Sequence, residues 1–268
     1  MHRMRTQRLK QSVKGFTLVE LLTVIAIISI LTAMLIPAVG KAKAKVVSVQ
    51  CRNHLKQLQI CWQLYVTDQD DRVPPNRSEQ VNGIWRSSRE SWIGLNSALY
   101  DDTYATIEGG ILFRYDYNRT FGIYHCPADK SKVRSQSGRE ASGLRTRSYS
   151  MNGFFGGNED TNKPPTTIQK AGQVRRPSEL FVFIEEHEDS IDDAHFLVWP
   201  EPDTRWVNLP SGRHQSSGNL SFVDGHVENW RWKAPKVFAP KTDYWKEASD
   251  PLDLEDLRRL QSHARQEL

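Results

Sequence analysis

Histidine and acidic residues that could bind a metal are concentrated in the second half of the sequence. Zinc requires three or four such ligands in tetrahedral geometry. The candidates are His187, His195, His214, His226, Glu185, Glu186 and Asp224. None of them lies in an HExxH or Cys-x-x-Cys arrangement, the spacings that identify many zinc sites. We therefore expect no metal and no cofactor, and we expect His214 to fix a loop by a hydrogen bond to Asp224 or to backbone.

A serine–histidine–aspartate arrangement is the second catalytic possibility. Ser216 and Ser217 follow His214 closely and precede Asp224, but no G-x-S-x-G elbow is present. That elbow is what exposes the nucleophile in many hydrolases. The sequence therefore predicts no catalytic residue and no enzyme, with a metal-dependent enzyme kept as an alternative.

The three cysteines allow one disulfide. Cys51 and Cys61 lie about 15 Å apart on one predicted helix, whereas a disulfide needs Cα atoms within roughly 7 Å. Cys51 lies in the middle of the apolar stripe of that helix and Cys61 at its edge. We therefore expect a Cys51–Cys126 disulfide with Cys61 left over. A Cys61–Cys126 bond and three reduced, buried cysteines are the alternatives.

The segment 16–39 is predominantly apolar, and Glu20 is its only charged residue. As a helix rising about 1.5 Å per residue, it is long enough to cross the hydrocarbon core of a bilayer, about 30 Å thick. A cleavable secretory signal usually has a shorter apolar core. The sequence therefore predicts a transmembrane helix. A carboxylate inside it usually has a partner, and no basic residue lies in the segment.

Charge is concentrated at the N-terminus. The chain has 36 Lys and Arg against 32 Asp and Glu, a net charge of +4, and five of the basic residues precede Gly15. The rest of the chain is close to neutral, which argues against nucleic-acid binding. The basic leader should stay cytoplasmic. This predicts a single-pass protein of the inner (cytoplasmic) membrane, with its head in the periplasm or outside the cell.

The stretch KGFTLVELLTVIAIISIL resembles the N-terminus of type IV pilin-like proteins, which include the type II secretion pseudopilins. The resemblance implies that a prepilin peptidase cuts after Gly15 and methylates the new N-terminus at Phe16. Glu20 matches the glutamate of the family, and Pro37 matches its helix-loosening proline. The amino group of Phe16, in the same or a neighbouring subunit, would then be the partner of Glu20 during assembly.

A second resemblance covers the head. His214, nine residues and then Asp224-Gly225 match the H-x9-DG feature of a subgroup of pilin-like proteins. The segments CRNHLKQL, CPAD and SYSMN are also similar to that subgroup and occur in the same order. The resemblance implies a structural motif. The Asp-Gly pair itself predicts a two-residue type I′ turn with Phe222 opposite Val227.

The sequence patterns of the helices and strands that position the residues named above predict an α+β fold. One face of the stem helix should pack on its own head beyond the membrane. We expect strands at ELFVFIEE and on both sides of the Asp-Gly turn, shorter strands at GILFRY and FGIYHCP, and an exposed loop at SQSGREASGLRTR. A C-terminal helix should begin at Pro251 after a cap at Ser249 or Asp250. The expected domains are a leader 1–15 that is removed, a transmembrane helix 16–39, its continuation 40–67 and an α+β head 68–268 with an antiparallel sheet.

These features predict a structural subunit of a type II secretion pseudopilus or of a type IV pilus-like filament. Its partners would be a prepilin peptidase and methyltransferase, other pilin-like subunits, an inner-membrane assembly platform and the lipid bilayer. The alternative is a membrane-anchored module that binds carbohydrate or protein. Its sugar-stacking residues would be Trp199, Trp206, Trp230 and Trp232.

Overall fold

The computed structural model describes residues 17–95, 97–115, 120–134, 140–157, 167–237 and 246–266. The chain divides into two compact units, Met1–Ala44 and Lys45–Leu268. Among the described residues the helices are α1 Leu18–Asp68, α2 Ala105–Glu108 and α3 Pro251–Ala264. The strands are β1 Ser78–Val81, β2 Ile84–Ser87, β3 Lys132–Arg134, β4 Glu140–Leu144, β5 Tyr149–Asn152, β6 Phe181–Glu185, β7 His195–Phe196, β8 Arg205–Trp206, β9 Ser217–Phe222, β10 Val227–Arg231 and β11 Lys246–Glu247.

The described part of the first unit consists of Thr17 and residues 18–44 of α1. Pro37 lies inside the helix. A proline removes one backbone hydrogen bond of a helix, yet α1 continues beyond it and ends only at Asp68. That end coincides with the run of Asp, Pro and Asn residues that predicts a helix break.

A five-stranded sheet forms the centre of the second unit, in the order β10-β9-β6-β5-β7. Neighbouring strands are antiparallel except β5 and β7, which are parallel. Every residue of β6 is buried, which fits its nearly continuous apolar sequence and its central place in the sheet. The predicted α+β class, with a long N-terminal helix and a head built on antiparallel strands, is confirmed.

The head packs α1 and α3 against the sheet through separate apolar clusters. The first cluster joins Cys51, Leu55, Leu58 and Trp62 of α1 to residues of the sheet such as Phe183. These four α1 residues follow the predicted i, i+4, i+7 stripe, and all are buried. The expectation that this stripe packs on its own head is confirmed.

The second cluster contains α3 and confirms the predicted C-terminal helix. Leu257 and Leu260 of α3 are fully buried in it. The side chain of Asp250 accepts hydrogen bonds from the backbone N–H groups of Leu252 and Asp253, and Pro251 occupies the first turn. This is the arrangement that favours a helix start.

The turn between β9 and β10 differs from the prediction. Val227 pairs with Ser221, and the N–H of Phe222 donates to the carbonyl of His226. The loop therefore has three residues rather than two, and Gly225 alone takes a positive φ, +94°. The type I′ turn and the Phe222–Val227 pair are wrong, because a three-residue loop with glycine in the left-handed region shifts the pairing by one residue.

Two predicted strands are also wrong. Within GILFRY and FGIYHCP the chain forms the 3₁₀ helices Leu112–Tyr115 and Phe121–Tyr124. Aromatic residues favour strands mainly because their side chains pack well against neighbouring strands. In these two segments the aromatic rings pack against one another without forming a strand. Phe121 stacks on Phe113 and on Tyr104, with ring centroids 5.0 and 4.5 Å apart.

The predicted loop SQSGREASGLRTR lies partly outside the described residues. Its described part is ordered secondary structure and buried chain, because residues 140–144 form β4 and Arg147 is fully buried. The guanidinium of Arg147 donates to the carbonyl of Tyr149 at 2.7 Å and to the hydroxyl of Ser150 at 2.8 Å. Those buried acceptors explain why Arg147 is not exposed, whereas Leu144 in the same stretch is exposed.

Candidate functional site

The N-terminus of α1 contains a reciprocal cap between Thr17 and Glu20. The Glu20 carboxylate accepts hydrogen bonds from the backbone N–H and the hydroxyl of Thr17, at 2.9 and 2.7 Å. The N–H of Glu20 donates to the Thr17 hydroxyl at 3.2 Å. This is a capping box, in which two residues three apart satisfy the first N–H groups of a helix. The T-x-x-E spacing is its sequence signal, which the search for a charged partner of Glu20 missed.

The residues implicated in processing are not part of the described structure. Gly15 and Phe16 lie outside the described residues, as does the rest of the basic leader. Cleavage after Gly15, methylation of Phe16 and a contact between its amino group and Glu20 therefore stay predictions.

The apolar part of α1 has the composition and length of a membrane span. Its mean hydropathy over 18 residues is 2.5, and none of that window is buried by the rest of the protein. The hydroxyls of Ser29 and Thr32 donate to helix carbonyls at 2.7 and 2.9 Å. Such bonds satisfy polar groups that would otherwise lack a partner in lipid. The helix is suited to a single-pass anchor.

The Cys51–Cys126 disulfide joins α1 to the segment that precedes β3. It is the pair expected from the sequence, and Cys61, the remaining cysteine, is buried. The backbone around the disulfide is fixed by side chains of the sheet region. Tyr149 donates its hydroxyl to the carbonyl of Cys51 at 3.3 Å, and the N–H of Cys126 donates to the hydroxyl of Ser148 at 3.1 Å.

His214, the first residue of the H-x9-DG motif, lies against this disulfide. Its Nε2 is 3.4 Å from Sγ of Cys126 and 3.1 Å from Oε1 of Glu185, the last residue of β6. The other carboxylate oxygen of Glu185 accepts from the backbone N–H and the side-chain amide of Asn219, at 2.9 and 2.8 Å. The predicted partners, Asp224 or backbone, are wrong: the imidazole of His214 meets the carboxylate of Glu185.

The Asp224-Gly225 end of the motif lies against α1 instead. Lys56 Nζ donates to the carbonyl of Gly225 at 2.5 Å, and a Cβ added at Gly225 would lie 2.7 Å from Nε2 of Gln63. Asp224 accepts hydrogen bonds from the backbone and the ring of His226. The two ends of the motif therefore contact α1 at two places, the disulfide and the Lys56–Gln63 surface.

A buried carboxyl lies next to this junction, at a residue that the sequence offered only as a candidate metal ligand. Glu186 is fully buried, and burial raises its pKa to about 8. The charge of Asp192 adds to the rise, while hydrogen bonds from Ser150 and Ser190 oppose it. A carboxyl with this pKa is largely protonated at neutral pH.

The other candidate metal ligands do not form one group, although His226 lies beside Asp224. Nδ1 of His195 lies 3.1 Å from the hydroxyl of Ser78, and His226 stacks on Phe222 with ring centroids 4.3 Å apart. Ser217 donates its hydroxyl to the backbone carbonyl of His214, which is not the geometry of a serine nucleophile facing an imidazole. Within the described ranges, the residues that place metal-binding atoms together are Cys51, Cys126, Glu185 and His214.

The tryptophans proposed to stack on sugars are mostly core residues. Trp206, Trp230 and Trp232 are at most 3% exposed and belong to the cluster around α3. Stacking on a sugar needs an accessible ring face. The sugar-stacking argument is therefore wrong for these three residues.

A family model described as the prokaryotic N-terminal methylation motif matches residues 10–36. No curated protein and no solved structure matches the chain. The match covers the start of α1 and the residues before it. Together with the long apolar helix, it fits a type IV pilin-like protein.

Proposed function

We propose, from this type IV pilin-like N-terminus, that the protein is a structural subunit of a type II secretion pseudopilus or a type IV pilus-like filament. The subunit is cleaved after Gly15 and methylated at Phe16 by a prepilin peptidase and methyltransferase. It waits in the inner membrane with its N-terminus in the cytoplasm and its head on the other side. It then joins other pilin-like subunits at an inner-membrane assembly platform.

The observation that carries the proposal is the methylation motif at the start of a helix with two different surfaces. Residues 18–39 of α1 are apolar and exposed, whereas Cys51, Leu55 and Leu58 farther along the helix are buried by the head. A large apolar surface in a folded protein marks a membrane or protein contact. In the waiting subunit, lipid covers this surface; in a filament, the stems of other subunits cover it.

A structural role agrees with the head as well as with the stem. The H-x9-DG residues His214 and Gly225 contact the disulfide region and α1, which supports a role in holding the head to its own helix. A filament subunit needs such a rigid connection, because force on the stem must not separate it from the head. We therefore keep the interpretation that the protein is not an enzyme.

Mass spectrometry of the mature N-terminus tests the proposal. In cells with an active prepilin peptidase, the wild-type chain should begin with methylated Phe16, and a Gly15→Val variant should retain Met1 because the bulky side chain blocks the cleavage site. An intact Met1 in the wild-type chain would contradict the proposal. If the chain is processed as expected, its recovery in filaments sheared from the cell surface would indicate a pilus rather than a pseudopilus that stays within the envelope.

A further inference from the structure

Four side chains of types that bind zinc converge at the junction between α1 and the sheet. Cys51, Cys126, Glu185 and His214 each offer one ligand atom, and these atoms lie within 4.8 Å of one another. The residues come from α1, the segment before β3, β6 and the loop before β9. Because these residues lie far apart in the sequence, no short sequence motif predicts the cluster.

The distances in the cluster are close to those of a tetrahedral zinc shell. Ligand atoms at zinc distances of about 2.0–2.3 Å lie roughly 3.3–3.8 Å from one another at tetrahedral corners. Nε2 of His214 is 3.4 Å from Sγ of Cys126 and 3.1 Å from Oε1 of Glu185. The two sulfur atoms are bonded to each other, so they are the pair that must separate before a metal can enter.

The surroundings orient the ligands. The backbone and the side-chain amide of Asn219 hold one oxygen of Glu185 and leave the other directed at His214. Hydrogen bonds of this kind to a ligating carboxylate fix its position and are typical of protein metal sites. The cysteines and Glu185 are fully buried, and the His214 side chain is 4% exposed. The cluster therefore resembles a closed structural site rather than an open catalytic one.

We propose that reduction of the Cys51–Cys126 disulfide converts this cluster into a binding site for one Zn²⁺, held by the two thiolates, His214 and Glu185. With a phosphine as reductant, the phosphorus takes the oxygen of one water molecule and becomes a phosphine oxide, the S–S bond breaks, and the two water protons pass to the sulfurs. Zn²⁺ then replaces both protons. The disulfide and the metal are thus alternative crosslinks for the same junction. The proposal does not depend on filament assembly.

Cobalt binding to the full-length chain in detergent micelles tests this site. The chain is reduced with a phosphine under nitrogen, the phosphine is removed by gel filtration, and Co²⁺ is titrated as the probe. We expect one Co²⁺ per chain with thiolate-to-cobalt charge-transfer absorption, displaced by Zn²⁺. The oxidised chain should give no such absorption. Circular dichroism follows the fold in parallel, and a reduced chain that loses structure should regain it with one equivalent of metal.

Matched variants locate the site. His214→Gln and Glu185→Gln should each weaken Co²⁺ binding at least tenfold, and the Cys51→Ser/Cys126→Ser double variant, which leaves no thiol in the cluster, should abolish the charge-transfer absorption. Cys61→Ala and His263→Gln remove a cysteine and a histidine outside the cluster and should bind like the wild type. Three results would overturn the proposal. They are undiminished Co²⁺ binding by His214→Gln, equal Co²⁺ binding by the oxidised chain, and a reduced chain that neither binds one Co²⁺ nor regains structure when Co²⁺ is added.

Discussion

Residues 18–44 and residues 45–68 of α1 belong to one helix but meet different surroundings. In the first region, Leu21, Ile28 and Leu35 are each more than half exposed, at 56%, 53% and 61%. In the second, Leu55 and Leu58 are completely buried by the head. Apolar side chains of the second region are therefore buried by the head, whereas those of the first region are exposed. Folding of the head depends on the second region, whereas the proposed membrane insertion and assembly would depend on the first.

The largest effect on folding should follow from removing the disulfide that fixes the second region. Closing a chain with a sequence separation of 75 residues contributes about 4 kcal/mol in the chain-entropy model. The Cys51→Ala/Cys126→Ala double variant should lose about that much free energy of unfolding, measured with urea and circular dichroism in detergent. Cys61→Ala, outside the disulfide, is the control. Equal loss in both variants would mean that cavity formation, not the crosslink, causes the effect.

A smaller loss should follow from truncating the buried face of the same region. Leu58 is 0% exposed, and Ile60, two residues farther along, is 42% exposed. Leu58→Ala should therefore cost about 3 kcal/mol by leaving a cavity, whereas Ile60→Ala should change the free energy of unfolding by less than about 0.5 kcal/mol. Urea denaturation of both variants measures the difference. Equal costs would contradict the division of α1 into a buried and an exposed face.

The pH dependence of stability should be confined to the head and should involve Glu186. Its folded-state pKa, about 8, lies above the ordinary glutamate value of 4.5, so the folded state holds an extra proton between these values. This contribution to stability is complete below pH 4.5 and is lost as the pH rises towards 8. Between pH 5 and pH 7 the loss should be about 2 kcal/mol.

The test is the difference between wild type and Glu186→Gln. Burial lowers the pKa of His125 and of His187, and these groups make stability rise with pH over part of the same range. Their contribution is common to both proteins. The wild type should therefore lose about 2 kcal/mol relative to Glu186→Gln between pH 5 and pH 7, and Glu179→Gln, on an exposed side chain, should not differ from wild type. A constant difference would show that Glu186 does not change its protonation in this range.

Much of the long-range architecture could be predicted because its signals are local and repeated. The stripe that contains Leu55 and Leu58 recurs at helical spacing, β6 is a nearly continuous apolar run, and Asp250-Pro251 is a local helix start. The Cys51–Cys126 pair also followed from the position of Cys51 on that stripe. Apart from the disulfide, which joins two segments, each of these features is encoded within one element.

The junction site could not be predicted in the same way. Glu185 and His214 meet only because β6 and the loop before β9 are brought together by the sheet. No spacing rule connects residues on different elements, and the metal ligands considered from the sequence included Glu185 and His214 but neither of the two cysteines. The prediction for the turn at Gly225 was wrong for a different reason. A loop that is one residue longer changes which side chains face each other. The Thr17–Glu20 cap has a local signal, the T-x-x-E spacing, and it gives Glu20 a neutral hydrogen-bond partner rather than a charged one.

The smallest change in folding free energy should come from Glu20, in the first region of α1. Glu20 has two possible tasks. Its carboxylate accepts hydrogen bonds from Thr17, and in an assembled filament its charge would meet the amino group of Phe16 on a neighbouring subunit. Glutamine can serve in a capping box as glutamate does, but it carries no charge. The two tasks can therefore be separated by comparing Glu20→Gln with Glu20→Ala.

If the charge sets the contact between subunits, both variants should insert into the membrane and be cleaved normally but be depleted from sheared filaments when co-expressed with tagged wild type. Insertion should be slightly easier for both, because each removes a charge from an apolar span. Losing the cap should cost Glu20→Ala only about 1 kcal/mol at the helix end, with no change in the stability of the head. Normal assembly of Glu20→Gln together with depletion of Glu20→Ala would assign Glu20 to the cap alone. Normal assembly of both variants would show that Glu20 has no role in assembly. Neither its charge nor its hydrogen bonds to Thr17 would then be needed to position one stem against the next.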